Sequence, residues 1–437
     1  MGKAGVPEGK AEMTMQRSGQ RSGSAFAYVT VLFFIWGAVT SVNDILIPAV
    51  KQIFSLTDTE SFLTQFAFFM AYGIVSLPAA ALLGRLGSSR AIVTALAVMV
   101  LGCLMMPLAT TLRIYGVALA ALFVIASGIT LLQVAANPLS AALGDPKRSH
   151  FRLVLSQTFN SLGTVVGPYL AAHTLLKGGL FDGGAPTEAK IAYSLSRIDL
   201  AYGFIAAVIV VLALFIWRKR ALIDGAAPRP EGAASVLEAL RDRWALFGAL
   251  GIFLYVGAEV SIGSVIVNFL QQADVMALSA VAAGSMVSLY WSGAMIGRLA
   301  GTVLLLRLPA GPLLGSAGLL AALLCLAVSN LSGPIAGYAA ISVGLFNSIM
   351  FPVIFTLTIE RSRASASATS GLLCLAIVGG ALVPLVFAQV ADITGSRFAA
   401  FHVPLVCYLV IALFGLLAWR ARSAARAAEA AAAPTAH

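Results

Sequence analysis

The stretch FFIWGAVTSVNDILIP, residues 33–48, decides the reading of this chain, because it is an apolar run able to enter a lipid bilayer that carries a carboxylate, Asp44. A charge in hydrocarbon must be paired, neutralised or turned toward a water-filled path, so such an acid marks a candidate ion or substrate route. Glu259, in FLYVGAEVSIGSVIV (residues 253–267), is set as deeply. On the sequence, no basic residue lies deep in a neighbouring span to neutralise Glu259; Arg298 counts with the basic residues of the cytoplasmic side.

Working outward, the 437 residues are 59% hydrophobic and 11% charged, with a mean hydropathy of +0.94. That is the inventory of a multi-pass membrane protein, not of soluble domains. A hydrocarbon core of roughly 30 Å needs about 20 apolar residues per helix, and segmentation on that basis gives about twelve spans. They start near Ala25, Phe62, Ala91, Ile114, Arg152, Leu200, Ala245, Leu278, Gly311, Gly333, Ala366 and Phe398. With both termini in the cytoplasm, all but six of the 28 Lys and Arg residues fall on that side, the exceptions being Lys51, Arg113, Lys177, Lys190, Arg197 and Arg397. This is the asymmetry expected of membrane proteins. The net charge of +10 is therefore a topology signal, and no nucleic-acid partner is expected.

The expected organisation is a cytoplasmic N-terminal tail (1–24), a six-helix bundle (25–217), a cytoplasmic linker (218–244), a second six-helix bundle (245–420) and a cytoplasmic C-terminal tail (421–437). The first apolar run is too long for a signal-peptide core and lacks a small-residue cleavage site, so it reads as a retained helix. In the linker, Ser235 and Glu238 have capping-box spacing, and Val236, Leu237, Leu240 and Trp244 could line a short surface helix; the main reading is a tether. Cys103, Cys325, Cys374 and Cys407 lie in spans without metal-type spacing and read as small apolar fillers. No cofactor is expected.

The halves echo each other, as in transporters built from repeats. FFIWGAVTSVNDIL aligns with IFLYVGAEVSIGSV, placing Gly37-Ala38 on Gly257-Ala258, and FMAYG of the second span with LYWSG of the eighth. Polar residues within spans are costly in lipid unless they face the bundle interior or a cavity. Trp36, Thr40, Asn43 and Asp44 lie near one stripe of the first span. Gln133 and Asn137 sit four apart in the fourth, and Gln157 and Asn160 three apart in the fifth. Tyr255 and Glu259 share a face of the seventh, with Asn268 further along, and Asn347 precedes Pro352 in the tenth. Amides both donate to and accept from hydroxyls, and the aromatic faces of Trp36, Tyr72, Phe159 and Trp291 can stack on a sugar ring. The bland alternative is interhelical glue, which is how Asn268 and Asn347 read when taken singly. The small and Pro-rich runs AANP, GTVVGP and IVGGALVP read as close-packing and flexing sites.

VNDILIP, LQVAANP with QTFNSLGT, YVGAEVSIGS, YWSGAMIGR, and FNSIMFPVIFTL followed by GLLCLAIVGGALVPL resemble the fucose and glucose/galactose porter branch of the major facilitator superfamily, over residues 26 to 418. The resemblance implies an all-α membrane protein of twelve helices in two bundles, a central sugar site and alternating access driven by a cation gradient. The fucose permease type carries Asn-Asn-Leu-Asn-Asp where this chain reads Thr40-Ser41-Val42-Asn43-Asp44, and an acid where this chain has Gln133. The Gln form, with the block around Glu259, is more similar to the glucose/galactose porters. The superfamily loop after the second span is degenerate, GRLGSSR having Gly84 where an Asp is usual.

The resulting expectation is a non-enzymatic importer of a hexose such as glucose or galactose, coupled to a proton or sodium, monomeric in the bilayer of a bacterial inner membrane. Asp44 and Glu259 would couple the ion. Asn43, Gln133, Asn137, Gln157, Asn160, Trp36, Tyr72, Trp291 and Asn347 would hold the sugar. The alternatives are another sugar of the same branch, N-acetylglucosamine or fucose, and a proton-driven drug exporter. A membrane enzyme fails on inventory: His150, His173, His402 and His437 are scattered, and no HExxH, GxSxG or P-loop pattern occurs.

Overall fold

A computed structural model describes residues 22–41, 54, 58–174, 178, 187–228 and 237–421. The described chain is helical: α1 (Ser22–Ser41), α2 (Asp58–Leu86), α3 (Ser88–Leu112), α4 (Tyr115–Ala142), α5 (Ser149–Thr174) and α6 (Glu188–Ala226), then a short α7 (Leu237–Arg241). The second half follows as α8 (Arg243–Leu270), α9 (Ala280–Leu304), α10 (Ala310–Asn330), the broken rod α11–α12 (Gly333–Asn347, Met350–Arg361), the broken rod α13–α14 (Ala366–Leu375, Gly379–Thr394), and α15–α16 (Arg397–Ala400, His402–Arg420).

Ten of these helices or rods are long and apolar enough to cross a membrane. Helices α5 and α9 are of comparable length, 26 and 25 residues, and carry Arg152, Gln157 and Asn160 in one and Arg298 in the other. Together these elements are consistent with twelve crossings. The outer faces are apolar, as lipid requires: Leu101, Leu104, Leu108 and Leu112 on α3, and Leu409, Leu413 and Leu416 on α16, are exposed.

Most observed helices start within a few residues of the expected positions. The sixth is different, because α6 begins at Glu188, well before Leu200. Thr187 caps it by accepting from the Lys190 N–H, and Thr110 of α3 donates to Asp199 at 2.6 Å. Hydropathy reports the stretch immersed in lipid, whereas capping and side-chain bonds carry a helix past it. At its other end α6 runs on through 218–226, and Ser89 N–H donates to Asp224. In α7, Ala239 is buried while Leu237 and Leu240 are exposed; Ser235 and Val236 lie outside the described residues.

The sequence echo has a structural counterpart in helix crossings. A Cβ on Gly37 would strike the Asn160 backbone carbonyl, so α1 touches α5 directly; a Cβ on Gly257 would strike Val383, so α8 touches α14 in the same way. In each half, the glycine of the first rod admits the fifth. Asp242 caps α8, Ser279 α9 and Ser365 α13, each accepting a backbone N–H of the first turn.

The antiparallel path gathers Arg85, Arg90, Lys147, Arg148, Arg218, Lys219, Arg220, Arg241, Arg243, Arg307, Arg363 and Arg420 at one end of the bundle, where α4 turns into α5 and α12 into α13. Arg113, Lys190, Arg197 and Arg397 lie at the other. Arg298, expected at the basic cytoplasmic end of the eighth span, lies inside α9, six residues before Leu304; basic residues usually mark span ends.

Candidate functional site

The polar residues of the first half converge on helices α2, α4 and α5. The Gln133 amide donates to the Tyr72 hydroxyl, and Gln157 donates to Asn137 Oδ1 at 3.4 Å. Asn137 is fully buried, and its Nδ2 has no partner among the described residues. Below them, toward the basic end, a hydroxyl chain links three helices: Ser140 and Ser156 lie 2.8 Å apart, with Thr30 3.4 Å from Ser156. Asn160 donates to the Phe33 carbonyl at 3.0 Å, at the crossing that Gly37 opens. Trp36 is buried against Phe33. Asn43 and Asp44 lie outside the described residues.

The second half holds an acid among tyrosines. Tyr255 donates to Glu259 Oε1 at 2.8 Å along one face of α8. Asn347 donates to the Tyr290 hydroxyl at 2.8 Å, and both are fully buried. Trp291 stands 49% exposed, edge-on to Tyr290. Asn268 lies apart from this group; its carbonyl accepts from Arg397 at the far end.

A basic residue, Arg298, lies within α9, which packs against α8, contrary to the reading that no neighbouring span holds one. Arg298 donates from Nε to the Ser348 carbonyl at 2.9 Å. That carbonyl lies four residues before Pro352, which has no N–H to give it, so the arginine replaces the missing helical bond. Its Nη1 donates across to Ser161 of α5.

The same device recurs between the halves. Pro138 leaves the Val134 carbonyl of α4 without its helical donor, and Ser370 of α13 supplies one at 2.8 Å. Nearer the basic end, Ser149 donates to Glu360 at 2.7 Å, His150 Nε2 lies 3.3 Å from the same carboxylate, and His150 Nδ1 pairs with Thr356 at 2.6 Å. Gly371 lets α13 lie on Ser76 and Ala80 of α2. The halves are thus sealed from mid-bundle to the basic end. Sequence reasoning missed Arg298, Ser370 and the Ser149–His150–Glu360 cluster. The prolines were the readable signal, since each names the carbonyl it orphans.

Similarity to known proteins agrees with this geometry. The sequence profile of the Major Facilitator Superfamily matches residues 28–384. A glucose/galactose transporter of Brucella abortus biovar 1 (strain 9-941) is 41% identical over 417 residues, covering 94% of this chain and 98% of that protein. The L-fucose-proton symporter of Escherichia coli K12 is 32% identical over 408 residues, covering 89% and 92%. The crystal structure of a transporter, FucP, in the outward conformation superposes with a TM-score of 0.80 at 29% identity, covering 91% of this chain and 99% of that one.

Proposed function

The chain belongs to the major facilitator superfamily, and from that membership we propose that it is a secondary active importer, a cation-coupled symporter of a hexose such as glucose or galactose. The observation that carries the site is the buried amide pair Asn137–Gln157, in which Asn137 Nδ2 has no partner among the described residues. A buried unpaired donor costs about 1–3 kcal/mol, so an acceptor delivered there recovers free energy. A sugar hydroxyl is such an acceptor.

In this reading Asn43, Gln133, Asn137, Gln157 and Asn160 supply amides from the first half, and Trp36, Tyr72 and Trp291 supply aromatic faces. Asn347 braces Tyr290 on the far wall. Asp44 and Glu259 carry the coupling charge, one in each half. The basic end faces the cytoplasm of a bacterial cell, with both termini on that side, so the sealed arrangement is the one that receives sugar from outside. Binding exchanges protein–protein hydrogen bonds for protein–sugar ones, and the halves then rock about the site without covalent chemistry. The transporter acts as a monomer.

The test is uptake into proteoliposomes. Radiolabelled glucose or galactose should accumulate under an inward proton or sodium gradient, and whichever ion drives it is the coupling ion. Absence of sugar accumulation together with extrusion of a hydrophobic dye from the same vesicles would instead identify an exporter.

A further inference from the structure

Among the described residues, two carbonyls freed by prolines receive a side-chain donor, and the donors differ in origin. The Ser348 carbonyl, freed by Pro352, is met by Arg298 of the same half. The Val134 carbonyl, freed by Pro138, is met by Ser370 of the other half. Ser370 donates at 2.8 Å, and both residues are fully buried. The next residue, Gly371, is what lets α13 come so close: a Cβ there would lie 2.5 Å from Ala80 Cβ and 3.0 Å from the Ser76 carbonyl of α2. The freed carbonyl lies between Gln133 and Asn137, two residues that the importer reading gives to the sugar. In a membrane interior a backbone acceptor without a donor is costly, so α4 is fully bonded only while the second half stays against it.

We propose that Ser370 is a positioning residue for transport, whose bond to the Val134 carbonyl makes the backbone of the sugar-carrying helix α4 depend on contact with the second half. While the seam is shut, the Ser370 hydroxyl stands in for the N–H that Pro138 lacks. When the halves part at the basic end, Ser370 withdraws with α13 and the carbonyl is left to water entering the gap. The bond therefore weights the shut arrangement, and it does so without an ionisable group. The Ser348 carbonyl carries no such weight, because its donor moves with it. The inference rests on the symporter reading for its purpose, but its test needs neither sugar nor an ion gradient.

The measurement is the ratio of long to short distances between spin labels on Lys147→Cys and Arg363→Cys, exposed positions on opposite halves at the sealed end. The four native cysteines, all buried, are replaced by alanine. Without Ser370 substitution the short distance should dominate. Ser370→Ala orphans the carbonyl only in the shut arrangement, so the ratio should rise by about 5- to 150-fold. Pro138→Ala restores the missing N–H and lets α4 bond its own carbonyl; in that background Ser370→Ala should leave the ratio unchanged. Thr369→Ala removes the adjacent buried hydroxyl, whose partner Ser362 lies 2.9 Å away in the same half. It should leave the ratio where it was, and it serves as the comparison if Pro138→Ala does not fold. An unshifted ratio in Ser370→Ala overturns the proposal. So does an equal rise with and without Pro138, or a rise in Thr369→Ala as large as in Ser370→Ala, since either would make Ser370 a packing contact and nothing more. Failure of sugar uptake alongside the expected shifts would overturn the hexose assignment and leave the Ser370 bond in its role.

Discussion

At the scale of single residues, the site is an economy of amides and freed carbonyls. Gln157 pairs with Asn137, and Gln133 with Tyr72, so truncating either glutamine removes a proposed sugar contact and orphans its protein partner. Gln133→Ala and Gln157→Ala should each weaken sugar binding by about 1–3 kcal/mol, roughly 5- to 150-fold, measured by equilibrium binding. Normal affinity in both variants would remove the amides from the site. Asp44→Asn keeps the size of the side chain but cannot ionise, and should abolish gradient-driven accumulation while sugar exchange persists; full accumulation in that variant would take Asp44 out of the mechanism. The amide pairs were legible because a four- or three-residue spacing puts polar groups on one helical face. Arg298 was misread, since a rule that assigns basic residues to span ends has no means of seeing a carbonyl freed by Pro352 on another helix.

Among elements, the rods fall where bilayer thickness demands, which is why eleven of the twelve starting points were readable and α6, prolonged by its own cap and by Asp199, was not. The crossings were half-visible as an echo of Gly37 in Gly257. A side chain at Gly257 meets Val383 and comes within 3.1 Å of the Gly379 carbonyl, whereas one at Gly263 meets only the Trp291 ring at an ordinary 3.5 Å. Gly257→Val should therefore destabilise the folded transporter by about 1–3 kcal/mol, seen as a lower melting temperature in detergent, while Gly263→Ala should melt like wild type. Equal melting of the two would mean that α8 and α14 can separate without cost. The break in α13–α14 was legible only as the small and Pro-rich run IVGGALVP, and the break in α11–α12 only through Pro352; that Ser370 and Arg298 bond carbonyls freed by prolines needed the fold.

For the whole molecule, the charge asymmetry and the rod order make one prediction about orientation. Single cysteines replacing Gly225 and Ala185 should react with an impermeant thiol reagent from opposite sides of the membrane, position 225 from the cytoplasm. Reaction of both from one side would sink the arrangement of six and six. Rods α5 and α9 are also a pair that meets across the seam, through Ser161 and Arg298. Arg298 lies in the last third of α9, and one of its two partners, the Ser348 carbonyl, comes later in the chain. Of the two acceptors that hold this arginine, Ser161 is made before α9, whereas the Ser348 carbonyl arrives only with the chain's tenth rod, so the surroundings of α9 are complete only after two further rods have followed it.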